Sequence, residues 1–131
     1  MKVAVVGSRT LEISNLEKYL PPDVTEIISG GAKGIDQCAR DWAIAHNVPL
    51  VEFLPEYERY GKYAPRRRNM LIVDRADFVI AFWDGESRGT FDAMLHCWRH
   101  HIPIEIYEMR PGGEPHCWHW PRDTKPRTHP T

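Results

Sequence analysis

Two short β-branched runs near the N-terminus each stop on glycine, and this restricts the fold more than any other feature of the chain. Val3–Val6 ends at Gly7, and Thr25–Ser29 ends at Gly30-Gly31. Apolar runs without strict alternation suit parallel strands covered on both faces. Three further runs read the same way: Pro49–Leu54, Phe78–Phe82 and Ile102–Tyr107. Amphipathic stretches separate them and predict helices over Leu11–Leu20, Ile35–His46, Arg68–Arg75 and Phe91–His101, the first stopped by Pro21-Pro22. Strand–helix alternation of this kind specifies an α/β domain, a largely parallel sheet flanked by helices.

The chain has 131 residues, the length of one domain. Seventeen Lys and Arg against eighteen Asp and Glu leave a net charge of −1. That balance excludes a polybasic nucleic-acid binder, whose affinity rests on a large positive excess. It leaves room for a local anion site. No run approaches the roughly 18 apolar residues of a membrane span, and the apolar stretch before Gly7 is too short for a secretory signal. The three cysteines, Cys38, Cys97 and Cys117, are an odd number in a chain large enough to fold without staples, so the expected compartment is a reducing cytoplasm. Composition shifts after Met109, where five of the eleven prolines and two of the five tryptophans lie. Residues 1–109 therefore read as the domain. Residues 110–131 read as an extended Pro-, His- and Trp-rich tail, with Trp118 and Trp120 expected to dock.

In open α/β sheets ligands bind beyond the carboxyl ends of the strands, where glycine turns feed helix N-termini. Gly7-Ser8-Arg9-Thr10 offers a backbone approach, hydroxyls and a guanidinium fork. Ser29-Gly30-Gly31-Ala32-Lys33-Gly34 precedes a helix, and its amides can cradle an anion with the helix dipole behind them. Tyr60–Asn69, with Arg66-Arg67-Arg68-Asn69, and Trp83–Asp92, with Asp84, Gly85, Ser87, Gly89 and Thr90, are the other two strand-end segments. Together they point to a phosphate-bearing small molecule, a nucleotide above all.

In order, V-G-S-R-T, I-S-G-G-A-K-G-I-D-x-x-A-R-x-W-A, Y-G-K-x-A-x-x-x-R-N and A-D-F-V-I-A-F-W-D-G-x-S-x-G-T resemble the SLOG superfamily, and within it the YpsA-related branch. The resemblance spans residues 1–109 and implies a Rossmann-like fold that binds nucleotides or nucleotide-derived ligands. Relatives often form homodimers. The superfamily's Lonely Guy enzymes cleave the N-glycosidic bond of nucleoside 5′-monophosphates. By that likeness Arg68 holds phosphate, Gly89-Thr90 matches the family's Gly-Thr pair, and Asp92 falls on the first of two acidic positions. Ala93 stands at the second, and the Trp83–Arg88 loop is two residues longer than the family's.

Cleaving a C–N glycosidic bond builds positive charge on the ribose, which a carboxylate can stabilise. The expected catalytic pair is thus Asp92 and Arg68, with Asp84 or Glu86 as substitute acids and no cofactor. Several residues have plainer roles open to them. Asp92 and Asp36 are first-turn acids that complement a helix dipole, and Trp42 and Trp98 suit a core better than a base. Trp83, at a strand exit, is placed to stack on a base. His96 and His100, with Cys117 and His119, have a spacing that metal could use, but without C-x-x-C or H-E-x-x-H the expectation is no metal. A non-catalytic sensor or sequestering protein for a nucleotide signal is the alternative to an enzyme. Single-stranded DNA binding, as in related DprA proteins, ranks third, so nucleic acid is not the expected partner, and neither is a membrane.

Overall fold

The computed structural model describes residues 1–109 and 115–120. Its elements are β1 (Lys2–Gly7), a 3-10 turn (Leu16–Lys18), β2 (Glu26–Ser29), α1 (Ile35–Ala45) and β3 (Leu50–Glu52). A short α2 (Tyr57–Tyr60) and a second 3-10 turn (Gly61–Tyr63) lead into α3 (Ala64–Arg75). β4 (Phe78–Trp83), α4 (Arg88–His100), β5 (Ile104–Glu108) and β6 (His116–Trp120) complete the order. The fold is mixed α/β, with six strands in the order β3-β2-β1-β4-β5-β6. All pairings are parallel except β5–β6.

Side-chain alternation divides the central strands between two cores. Val3, Val5, Ile27, Ile80 and Phe82 face Ile35, Ala39 and Ala43 of α1. Ala4, Val6, Ile28, Val79 and Ala81 face Ile72 and Val73 of α3 and Met94 and Cys97 of α4. A sheet covered on both sides has no polar face, and this is why the strands read as unbroken apolar runs. Burial inside the second core also pushes the Cys97 thiol up to about 12, so it behaves as a packed apolar group.

The helix expected over Leu11–Leu20 does not form; the segment is a loop with the 3-10 turn Leu16–Lys18 inside it. Leu11, Ile13, Leu16 and Leu20 all pack on the first core. Leu11 would fall on the opposite side of a helix from Ile13, Leu16 and Leu20, and the chain bends at Ser14 before the 3-10 turn. The Ile13 N–H donates to Cys38 Sγ at 3.3 Å, tying this lid to α1. α3 and α4 start earlier than expected, at Ala64 and Arg88, because their polar first turns carry no apolar period. Pro65 sits in the first turn of α3, where its missing N–H costs nothing.

Residues 116–120, within the stretch set apart as a tail, form β6 against β5, with Ile106 opposite Trp118 and Tyr107 opposite Cys117. Trp118 is 40% exposed. The side chain of Trp120 and residues 110–114 and 121–131 lie outside the described residues. Among the described residues no helix is long and apolar enough to cross a membrane.

Candidate functional site

The sheet order reverses between β1 and β4: the chain leaves β1 toward β2 on one side and β4 toward β5 on the other. The loops at such a switch point diverge and leave a crevice beyond the strand ends. Here the crevice is a cleft of about 270 Å³. Gly7, Ser8, Arg9 and Thr10 wall it from β1, and Ser87, Arg88, Gly89 and Thr90 from the start of α4. Arg68 and Asn69 of α3 and Asp36 of α1 close the back.

One carboxylate holds the two loops together. Asp84 Oδ1 accepts the N–H groups of Glu86 (2.9 Å) and Ser87 (2.7 Å), and Oδ2 accepts the hydroxyls of Ser87 (2.9 Å) and Thr10 (3.3 Å). Its own N–H donates to Ser8 Oγ at 3.2 Å. Burial works against the Asp84 charge, but the donors from Ser87, Glu86 and Ser8 outweigh it and hold the pKa at about 2. A carboxyl whose folded pKa lies below its unfolded value adds stability above the unfolded value, near 3.8, and loses it as pH falls toward 2. After allowance for solvent screening the contribution is roughly 1–2 kcal/mol. Urea unfolding should therefore show Asp84→Asn less stable than wild type at pH 7, with the gap closing between pH 4 and 2. A gap that stays constant over that range would contradict the assignment.

Arg68 is 9% exposed and spans the floor. Its Nη1 donates to the Gly30 carbonyl at 2.6 Å and its Nε to Asn69 Oδ1 at 2.9 Å. Asn69 Nδ2 in turn donates to the Gly89 carbonyl at 3.2 Å, linking α3 to the first turn of α4. Asp36 accepts the Ala32 N–H on Oδ2 at 3.1 Å and is 7% exposed. Burial raises the Asp36 pKa, and the Ala32 N–H and the charge of Arg68 pull it back. Burial likewise lowers that of Arg68, against the opposing pull of Asp36. The cleft thus has a desolvated acid beside a guanidinium, with the free N–H groups of a helix start opposite them.

Of the residues nominated from sequence, Gly7, Ser8, Arg9, Arg68, Asn69, Ser87, Gly89 and Thr90 meet in this cleft. Ser29 and Gly30 lie behind it, Ser29 fully buried and Gly30 serving through its carbonyl, while Gly31 is exposed beside Leu54. Lys33 and Gly34 line a separate surface hollow with Glu12, Gln37 and Asp41. Gly34 has φ 73°, and a Cβ there would come within 2.5 Å of the Arg9 carbonyl oxygen, so its role is to let α1 start against the β1 loop. Asp84 and Gly85 shape the loop.

Asp92 and Trp83, nominated as the acid and as a stacking platform, are not brought into the cleft either. Asp92 lies in a neighbouring hollow, with Arg88 Nε 3.5 Å from its Oδ1. Trp83 turns its Nε1–H to the Ser87 carbonyl at 3.1 Å and packs its ring near Phe91, centroids 5.8 Å apart, away from the cleft lining. The acid that does line the cleft, Asp36, had the plain reading of a dipole-complementing residue. Its sequence signal was its place directly after the Gly34-Ile35 pair. His96 gives its Nε2 to Asp74 at 2.8 Å. Among the described residues no three His, Cys, Asp or Glu side chains gather as a metal site would require.

Known proteins share this architecture. Residues 1–60 match the model of the YspA, cpYpsA-related SLOG family. The Gene 61 protein of Mycobacterium phage D29 is 31% identical over 101 residues, covering 72% of this chain and 81% of the phage protein. DNA processing protein A from Helicobacter pylori, which binds single-stranded DNA, superposes with a TM-score of 0.67 at 19% identity, over 87% of this chain and 68% of that one. DNA processing protein A (DprA) from Streptococcus pneumoniae gives 0.68 at 20% identity, over 85% of this chain and 51% of that one. On that family match, with the phage relative at 31% identity and the order of motifs along the strands beside it, the chain belongs to the YspA, cpYpsA-related SLOG family.

Proposed function

We propose that the chain binds a nucleotide-derived phosphate ligand in the switch-point cleft. The observation that carries this reading is the convergence of Arg68, Arg9, Ser8 and the first turn of α4 on one small, partly enclosed space. Phosphate oxygens need cations and aimed N–H donors, and the cleft supplies both. Its volume, about 270 Å³, falls just below the roughly 300 Å³ at which small-ligand pockets begin, so it encloses one nucleotide at most.

Hydrolysis of an N-glycosidic bond is the enzymatic form of this reading. Asp36 is the acid placed for it, since it lines the cleft while Asp92 opens onto the adjacent hollow. A carboxylate there can face the developing positive charge of the ribose, and Arg68 can hold the phosphate that anchors it. Without turnover, the same contacts make a sensor or sequestering protein. Incubation with nucleoside 5′-monophosphates and NAD-derived nucleotides divides the two. Free base released by wild type and lost in Asp36→Asn supports the enzyme, and loss in Asp92→Asn alone returns the role to Asp92. Intact ligand recovered at stoichiometric protein supports the binder. No ligand and no base across the panel ends the nucleotide reading.

Single-stranded DNA is a second reading, favoured by the likeness to the DNA-binding protein of Helicobacter pylori. Tyr57 and Tyr63 are 55% and 62% exposed in the stretch that precedes Arg66–Arg68, and aromatics between cations suit stacked bases. A thymidine oligonucleotide in the same panel, titrated at two salt concentrations, tests it. Tight, salt-sensitive binding of the oligonucleotide with none of the mononucleotides would replace the first reading.

A further inference from the structure

Next to the cleft, where α3 and α4 lie side by side, is a second hollow of about 130 Å³. Arg66, Asn69, Asp92, His96, Arg99 and His100 line it. It shares Asn69 with the cleft, so the two are separated by little more than the Asn69–Gly89 hydrogen bond. Along α4, Asp92 is three residues beyond Gly89 and Arg99 ten. At 1.5 Å per residue the hollow therefore begins about 5 Å and ends about 15 Å from the first turn.

Its charges do not cancel. Asp92 is already paired with Arg88, and Asp74 takes the Nε2 hydrogen bond of His96. Arg66 and Arg99 have no ion-pair partner among the described residues, although both face the same hollow. His96, its side chain only 8% exposed, and His100, 4.2 Å away ring to ring, add two imidazoles to the lining. Two exposed guanidiniums that line one hollow without an acid of their own leave it net positive, which favours an anion there. Arginine prefers phosphate for the geometry of its fork.

We propose that this hollow is a second anion subsite, so that the ligand carries one phosphate in the switch-point cleft and another beyond the first turn of α4. The inference rests on the phosphate reading of the cleft. It narrows the ligand to one with at least two phosphate groups within the reach of about one nucleotide. Neither a nucleoside bisphosphate nor a short nucleic-acid strand is distinguished by that chemistry, because both present phosphate oxygens at such a spacing.

Calorimetry with three probes tests it: AMP, adenosine 3′,5′-bisphosphate and a 5′-phosphorylated thymidine pentanucleotide. The variant is Arg99→Gln with His100→Gln, both exposed positions on the last turns of α4. Wild type should bind the bisphosphate or the pentanucleotide at least tenfold more tightly than AMP. The double variant should lose that advantage and keep its affinity for AMP. The probe that shows the advantage identifies the source. An advantage that survives in the variant, or none for either probe, overturns the subsite. Imidazole NMR signals of His96 and His100 titrated with inorganic pyrophosphate separate this failure from that of the cleft. If pyrophosphate moves them while no nucleotide of the panel binds, the cleft reading fails and an anion site in the hollow stands by itself; if neither occurs, both fall.

Discussion

Replacing Arg68 with methionine should cost roughly 2–4 kcal/mol of stability at pH 7, and distinctly less near pH 4. The side chain is buried, and its removal leaves the enclosed Gly30 carbonyl without its donor and Asp36 without the nearest cation. The pH dependence comes from Asp36. Burial already lifts its pKa in the folded protein, and losing Arg68 lifts it further. A carboxyl raised on folding costs stability above its unfolded pKa, since ionisation then favours the open chain; when protonated it costs nothing. The double variant Arg68→Met with Asp36→Asn should accordingly recover part of the loss at pH 7 and show a flatter pH profile. Chemical denaturation at the two pH values measures all of this. Equal losses at pH 4 and pH 7 would show that the two side chains are not coupled. On the phosphate reading, affinity for the ligand should also fall ten- to a hundredfold, the worth of one charge-assisted hydrogen bond.

Gly34→Ala should be at least as severe, at roughly 3–5 kcal/mol or a drop of about 10–20 °C in Tm. The added methyl would meet the Ser8 and Arg9 carbonyl oxygens at 2.6 and 2.5 Å, and these are main-chain atoms that cannot swing aside. Either α1 backs away from β1 or the Ser8–Arg9 loop moves, and each outcome deforms the cleft. Gly61 provides the control. It has a similar backbone conformation, φ 55° and ψ −133° against 73° and −122°, but nothing lies within 4 Å of its Cβ position. Gly61→Ala should therefore pay the conformational cost alone, about 1–2 kcal/mol. The difference between the two variants, read by thermal denaturation, isolates the collision. Equal shifts would mean that the close approach of α1 to the β1 loop has no energetic weight.

What could be read from residues alone, and what could not, follows from how each segment is buried. Val3–Val6 and Phe78–Phe82 were legible as strands because burial on both faces leaves no polar position to confuse the period. Leu11–Leu20 was not, because a lid packs one irregular side on the sheet and follows neither a helical nor an extended repeat. The first turns of α3 and α4 were missed for the opposite reason: Pro65-Arg66-Arg67 and Arg88-Gly89 have no apolar residue to mark them. The cleft's loops were found through their glycines and hydroxyls. The acid that lines it, Asp36, was not among the residues nominated for it, and the reason is rotation about a helix axis. Thr90 is buried toward the cleft, and Asp92, two residues later, lies about 200° round α4. Asp36, on α1, points inward beside Arg68. Both are early acids on helices after glycine turns, and the sequence does not say which way either helix is turned. Trp83 shows a similar limit, since its indole N–H found a carbonyl within its own loop.

The antiparallel strand β6 has a consequence of another kind. Without it β5 would be the last strand of the sheet, with the main-chain donors and acceptors of Ile104–Glu108 unpaired along one side and apolar Ile104 and Ile106 beside them. Such a margin is a template on which a foreign strand can add. β6 occupies it with the chain's own backbone and moves the open margin to His116–Trp120, a five-residue strand bearing two histidines and no aliphatic side chain. A stretch outside the motifs that mark the family thus covers what would otherwise be an open edge of this chain's sheet.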